Sequence, residues 1–137
     1  MAAMKVRTAV VPIAGWGTRL LPASRSVPKV MFPLYDTPAI HLVVEEAAAA
    51  GIEHIVFVTS PQQSAVSAYF DRIPSLETAL EQRGNAAMLE RMVAVSEMAY
   101  FSYVHQSRPL GPGHAILTAR EAVGDEPFAV FFPDDLI

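Results

Sequence analysis

Between Val6 and Lys29 the chain reads VRTAVVPIAGWGTRLLPASRSVPK: an apolar run, a loop carrying Gly15 and Gly17, and then two permanently charged groups, Arg19 and Lys29. Glycine has no Cβ, so such a loop turns sharply and brings backbone N–H groups close to an anion. Arg19 offers a planar donor fork that matches phosphate, whereas Lys29 offers a mobile point charge able to follow charge that develops at a phosphorus under attack. The chemistry these residues suit is the handling of a nucleoside triphosphate. The alternative for the same residues is a plain glycine turn flanked by surface charges. Two familiar glycine motifs are excluded: Leu20 stands where G-x-G-x-x-G requires its third glycine, and no G-K-[ST] occurs anywhere.

Further along, Asp134 and Asp135 directly follow the apolar run FAVFFP. A carboxylate there suits Mg²⁺, which bridges phosphate oxygens and lowers the repulsion met by an incoming phosphate; an ordinary loop or helix-capping aspartate is the alternative. Gln106 and Gly111 flank a second loop. The glutamine amide can both donate to and accept from a nucleobase, and glycine permits backbone contact with the base edge. A surface glutamine beside a flexible loop is the competing reading. Of His41, His54, His105 and His114, only His114 is placed to touch a ligand, as an alternative to an ordinary helix-start histidine. No H-E-x-x-H and no G-x-S-x-G occurs, which argues against zinc peptidase and serine hydrolase chemistry.

These residues need elements to hold them. Val6, Ala9, Val10, Val11 and Ile13 read as a strand buried on both faces. TPAIHLVVEEAAAAGI reads as a helix opening near Thr37 and Pro38 and stopping near Gly51, and HIVFVTS as a second buried strand. Helices are expected from Gln62 to Phe70, Leu76 to Arg83 and Ala86 to Met92, with residues 71–99 a candidate helical insertion. AYFSYVHQ is a third strand, AILTAREAV a helix, and FAVFF a fourth strand. Met88, Met92 and Met98 read as packing residues. The alternation predicts one α/β unit over residues 1–137, with a Rossmann-like, mostly parallel sheet, helices on both faces and ligand groups at the carboxyl ends of the strands.

With 137 residues, 52% of them hydrophobic and 18% charged, the chain can bury a real core. Its formal charge of -4 gives no general attraction to nucleic acid or to an anionic membrane, so an anionic ligand must be met by local cations or a metal. The absence of cysteine excludes disulfides and thiolate metal sites. No apolar stretch reaches membrane-spanning length and the first residues lack a secretory pattern, so a cytoplasmic location is expected. The last residues fall just after a buried strand, where a parallel sheet still needs a crossover, and this predicts a truncated nucleotidyltransferase fold.

AGWGTRLLPASRSVPK, MFPLYDTPAIHLVVEEA, GPGHA and PDD together resemble the sugar-nucleotide pyrophosphorylases, and the bacterial UTP-glucose-1-phosphate uridylyltransferases in particular, almost from residue 5 to residue 137. The resemblance implies transfer of UMP from UTP to glucose 1-phosphate, with Mg²⁺ as cofactor and self-association. It implies that Gly15, Gly17, Thr18 and Arg19 receive the triphosphate, that Lys29 stabilises the displaced phosphates, and that Asp134 binds the metal with Asp135 nearby. Ala14, Gly15, Gln106 and Gly111 would line the base, while sugar-contacting residues, a second metal-binding aspartate and another lysine would lie beyond residue 137. Three departures stand out. Val30 occupies the glutamate position of the usual P-K-E-M, Arg25 replaces a common lysine, and GPGHA replaces GLGHA. Val30 opens the alternative of a dTTP- or CTP-using enzyme, and a noncatalytic nucleotide-binding module is the nonenzymatic alternative.

Overall fold

The computed structural model describes residues 5–14, 21–60, 64–108 and 110–133. Along the chain come β1 (Thr8–Pro12), the 3₁₀ turns Ala23–Arg25 and Lys29–Met31, β2 (Pro33–Leu34), β3 (Thr37–Pro38), α1 (Ala39–Ala49) and β4 (His54–Thr59). Then follow α2 (Ser64–Phe70), α3 (Pro74–Gln82), α4 (Ala86–Ser96), β5 (Tyr100–His105), α5 (Pro112–Thr118), α6 (Arg120–Val123) and β6 (Phe128–Val130). The main sheet has the order β5-β4-β1-β6, and every pairing in it is parallel.

The missing alternation in β1 and β4 has a direct cause: helices cover both faces of the sheet. Ala9, Val11, Ile55 and Phe57 face one side, packed with Ile40, Val43 and Val44 of α1 and with Val66 and Phe70 of α2. Val10, Val56 and Val58 face the other, against Ala115, Ala119 and Val123 of α5 and α6. Phe57 anchors the first face, its ring stacked at centroid distances of 5.6 Å on Phe70, 5.9 Å on Phe101 and 5.6 Å on Tyr103. Such offset aromatic contacts add about 0.5–1.5 kcal/mol per pair beyond the burial itself. The Tyr103 hydroxyl is buried with no hydrogen-bond partner among the described residues. Burial first, and Asp71 second, push its pKa well above the ordinary tyrosine range.

The expected elements are all found, with shifted ends. Helix α1 opens where expected, with Pro38 as its N-cap and Ala39 its first residue, and Thr37 and Pro38 also pair with Leu34 and Pro33 in a small hairpin turned at Tyr35, φ 69°. Helix α4 runs past Met92 to Ser96, since Val95 continues the apolar stripe that packs on the core. The helix expected over Ala115–Val123 starts earlier, at Pro112, and is divided at Ala119 into α5 and α6. Helix α2 is described from Ser64; Gln62 lies outside the described residues. Helices α3 and α4 form a hairpin with no fully buried residue, closed by Asn85, whose Oδ1 accepts from the Met88 N–H.

Order along the sheet fixes where a ligand belongs. From β1 the chain moves outward through β4 to β5, then returns to place β6 on the other side of β1. The connection from β1 therefore runs toward β4, whereas the one from β5 returns to the other side of β1, so the direction of winding switches at the β1–β6 pair and a ligand crevice is expected at its carboxyl edge.

At the opposite end of the sheet, the His54 ring hydrogen-bonds the Ser102 hydroxyl at 2.7 Å and meets the Tyr100 ring edge-on. Burial lowers the His54 pKa below 6.5, outweighing the raising influence of Glu126. The unfolded chain thus binds this proton more readily than the folded one, and stability falls as pH drops through the unfolded value. We predict a melting temperature that declines between about pH 7.5 and about pH 5.5, with a smaller decline in a His54→Gln variant. Identical slopes for the two proteins would contradict the assignment.

Candidate functional site

Four strand ends meet at the carboxyl edge. The strand ladder continues one residue past β1, where Ile13 N–H donates to the Val58 carbonyl at 2.9 Å, and half-buried Ala14 comes next. On the far side of β4, Gln106 N–H donates to the Thr59 carbonyl at 2.8 Å. On the near side of β1, Phe131 N–H donates to the Val10 carbonyl at 3.0 Å. Ala14 and Gln106 therefore lie two strands apart on one edge, roughly 10 Å at ordinary strand spacing.

Lys29 reaches this edge through the hairpin. Helix α1 runs back down the sheet from its start at Ala39, and Ala39 N–H donates to the Phe32 carbonyl at 3.0 Å, tying the 3₁₀ turn Lys29–Met31 beside the top of α1. Within that turn the side chains divide. Val30 is 5% exposed and belongs to the core with Ile40, Val43 and Val44, while Lys29 is only partly buried. Burying Val30 fixes the orientation of the turn that carries Lys29.

The β5 end is the most ordered part of the edge. Gln106 is 5% exposed, and its side-chain Nε2 donates to Nδ1 of His114 at 2.8 Å. Thr59, also buried, shares a 3.2 Å hydrogen bond with Nδ1 of His105. Gly111 supplies the N-cap of α5 at φ 93°, ψ 174°, and Pro112 takes the first helical position, where a missing N–H costs nothing. This start puts His114 in the first turn of α5, facing back to the strand end. The pairing of Gln106 with His114 was not legible from residue types alone; the helix start signalled by Gly111 and Pro112 was the cue that could have found it.

Of the residues singled out in the sequence, Ala14, Lys29, Gln106 and Gly111 thus share one edge. Gly15, Gly17, Thr18, Arg19, Asp134 and Asp135 lie outside the described residues. Among the described residues no group of three His, Asp or Glu could hold a metal ion. A cavity of about 180 Å³ does exist elsewhere, between α2, α3 and α4, lined by Tyr69, Ile73, Leu76, Met92 and Val95. It holds none of the candidate ligand residues, and its Met92 is one of the expected packing residues.

A parallel sheet of order β5-β4-β1-β6 with helices on both faces is a doubly wound α/β fold, with the candidate residues Gln106, Lys29 and the glycine-capped helix α5 at its switch-point edge. The chain belongs to the Nucleotidyl transferase family, whose pattern it matches over residues 8–137. It is 46% identical to the UTP-glucose-1-phosphate uridylyltransferase of Bacillus subtilis (strain 168) over 133 residues, 97% of this chain and 46% of that protein. It is likewise 46% identical to uridylyltransferase 1 of Staphylococcus saprophyticus, over 98% of this chain and 47% of the relative. The UTP-bound UGPase of Acinetobacter baumannii superposes with a TM-score of 0.91 at 46% identity, over 95% of this chain and 46% of that one. A UDP-glucose pyrophosphorylase complexed with UDP-glucose gives 0.78 at 38% identity, over 95% and 46%. The chain spans about half the length of the curated relatives it matches.

Gly111 allows a sharp test of the local geometry. A Cβ there would meet nothing within 4 Å, so only its backbone conformation calls for glycine. Gly111→Ala is expected to cost about 1–3 kcal/mol, whereas Gly113→Ala, inside α5 and equally uncrowded, should be neutral or stabilising. Equal melting temperatures for both variants would count against the cap.

Proposed function

We propose that the protein is a UTP-glucose-1-phosphate uridylyltransferase, and that this segment supplies its UTP-binding part. The observation that carries the reading is the convergence of Ala14, Lys29, Gln106 and Gly111 on one strand edge, in a chain that superposes with a TM-score of 0.91 on a UTP-bound UGPase. An oxygen of glucose 1-phosphate attacks the α-phosphorus of UTP, the bond to the bridging oxygen breaks, and pyrophosphate leaves with the electron pair. UDP-glucose is the product, and no covalent enzyme intermediate is required.

In this reading Gln106, Gly111, Ala14 and Gly15 hold the base. Gly17, Thr18 and Arg19 orient the triphosphate, and Lys29 stabilises charge between the attacking phosphate and the departing pyrophosphate. Asp134, which follows Pro133 in the sequence, is the carboxylate assigned to Mg²⁺; its oxygen donors suit a hard cation. The metal, when bound, lowers the repulsion between the two phosphates. The protein's own contribution is alignment and a fixed positive charge, the usual means of accelerating phosphoryl-type transfer.

A cytoplasmic location and self-association belong to the same proposal. No helix among the described residues is long and apolar enough to cross a membrane. Ile73 and Leu76, exposed beside the α2–α4 cavity, are the apolar surface that supports association.

One observation favours a second reading, the use of dTTP or CTP. Val30 is apolar and buried at the position where the resemblance expects a glutamate. Product analysis over nucleotide and sugar panels separates the two, with dominant UDP-glucose counting against the second.

Lys29 gives the direct test of mechanism. Lys29→Met in the full protein should lower pyrophosphate release from UTP and glucose 1-phosphate by about 100-fold or more, while the melting temperature changes little. Unchanged turnover would remove Lys29 from the reaction.

A further inference from the structure

A glutamine amide presents an oxygen on one side and an NH₂ on the other, nearly the same size, so its orientation is decided by its partners. Gln106 has one well-defined side-chain partner in the structure, His114, at 2.8 Å from Nε2 to Nδ1. An amide nitrogen only donates, so Nδ1 must be unprotonated and the ring proton must sit on Nε2 of His114. We propose that His114 is a positioning residue for base selection: by accepting from Gln106 it turns Oε1 toward the ligand and favours a pyrimidine that carries a proton on N3. The inference rests on the reading of this edge as a pyrimidine nucleotide site.

Both ends of the contact are fixed by backbone. The Gln106 N–H is bonded to the Thr59 carbonyl, and His114 sits in the first turn of α5, its own carbonyl accepting from the Thr118 hydroxyl at 2.8 Å. At 5% exposure, Gln106 has little water to satisfy a reversed amide. Reversal would set Oε1 against the lone pair of Nδ1, two acceptors face to face, unless the ring first moved its proton. Uracil and thymine donate from N3 to an acceptor such as Oε1. Cytosine has a lone pair at N3 and would meet that oxygen unfavourably. Val30, apolar and in the core, supplies no side-chain acceptor of its own. His114 thus acts on the ligand through Gln106, and needs no contact with the base itself.

The test is calorimetric titration of the full protein with UTP and with CTP, comparing the ratio of the two affinities among variants, because that ratio cancels general effects on triphosphate binding. The unsubstituted protein should prefer UTP. His114→Phe keeps a ring but no acceptor, and should reduce the preference about tenfold. His114→Lys can only donate, must turn Oε1 inward, and should move the preference further toward CTP; its place at a half-exposed helix start keeps the test available if the Phe variant does not fold. A ratio unchanged in the folded variants, or an initial preference for CTP, would overturn the proposal. Gln106→Leu separates the two levels. If it leaves UTP affinity unchanged, the site reading itself fails; if it weakens UTP binding while the His114 variants keep the original ratio, only the positioning role fails.

Discussion

The parallel pairing of β1 with β4, buried on both faces, constrains the rest of the molecule. Parallel neighbours cannot be joined by a tight turn, so each strand must be followed by a crossover, and each crossover brings a helix onto one face of the sheet. The first runs through the 29–38 hairpin and α1, and its return to β4 puts Lys29 beside the top of the sheet. The last runs through α5 and α6 on the opposite face and delivers β6 to the free side of β1. Because the two crossovers depart in opposite directions, an open edge remains at the strand ends, where backbone groups and side chains reach a ligand without a hole in the core.

That division of labour separates stability from recognition. Phe57 and its stacked partners, with the aliphatic residues of β1, β4 and α1, form the interior below the edge. Above it, described polar groups are held by specific partners. Thr59 is bonded to His105 and Gln106 to His114, and the 3₁₀ turn bearing Lys29 is pinned by buried Val30. A buried polar pair is stabilising only while both members are satisfied, so such pairs fix orientation as well as position. The helical hairpin α3–α4 follows another pattern, with no fully buried residue and an apolar cavity beside it.

Much of this architecture could be read from residues alone. Runs such as TAVVP and HIVFVT are too short and too uniformly apolar for amphipathic helices, and the EEAAAA stretch of α1 before Gly51 is a strong helix with a stop. What sequence patterns missed were features set by tertiary pairing. Thr37 and Pro38 lead into α1 as their types suggest, but their pairing with Leu34 and Pro33 is invisible in the pattern, and the helix after β5 begins at Pro112 because Gly111 adopts a conformation open to glycine. At the candidate edge, Lys29, Gln106 and Gly111 could be proposed by type and place, whereas the Gln106–His114 contact depends on how a strand end and a helix start face one another. Val30 shows the same limit from the other side: its sequence position marks a departure from the family, and only the fold shows it as a core residue.

The central claim is that the carboxyl edge of the sheet, rather than the α2–α4 cavity, receives the nucleotide. Hydrogen–deuterium exchange of the chain with and without UTP and Mg²⁺ tests it most directly. The account predicts ligand-dependent protection concentrated in residues 13–31 and 106–115, with α3 and α4 unchanged. Protection confined to residues 68–96, with the strand ends unaffected, would contradict it.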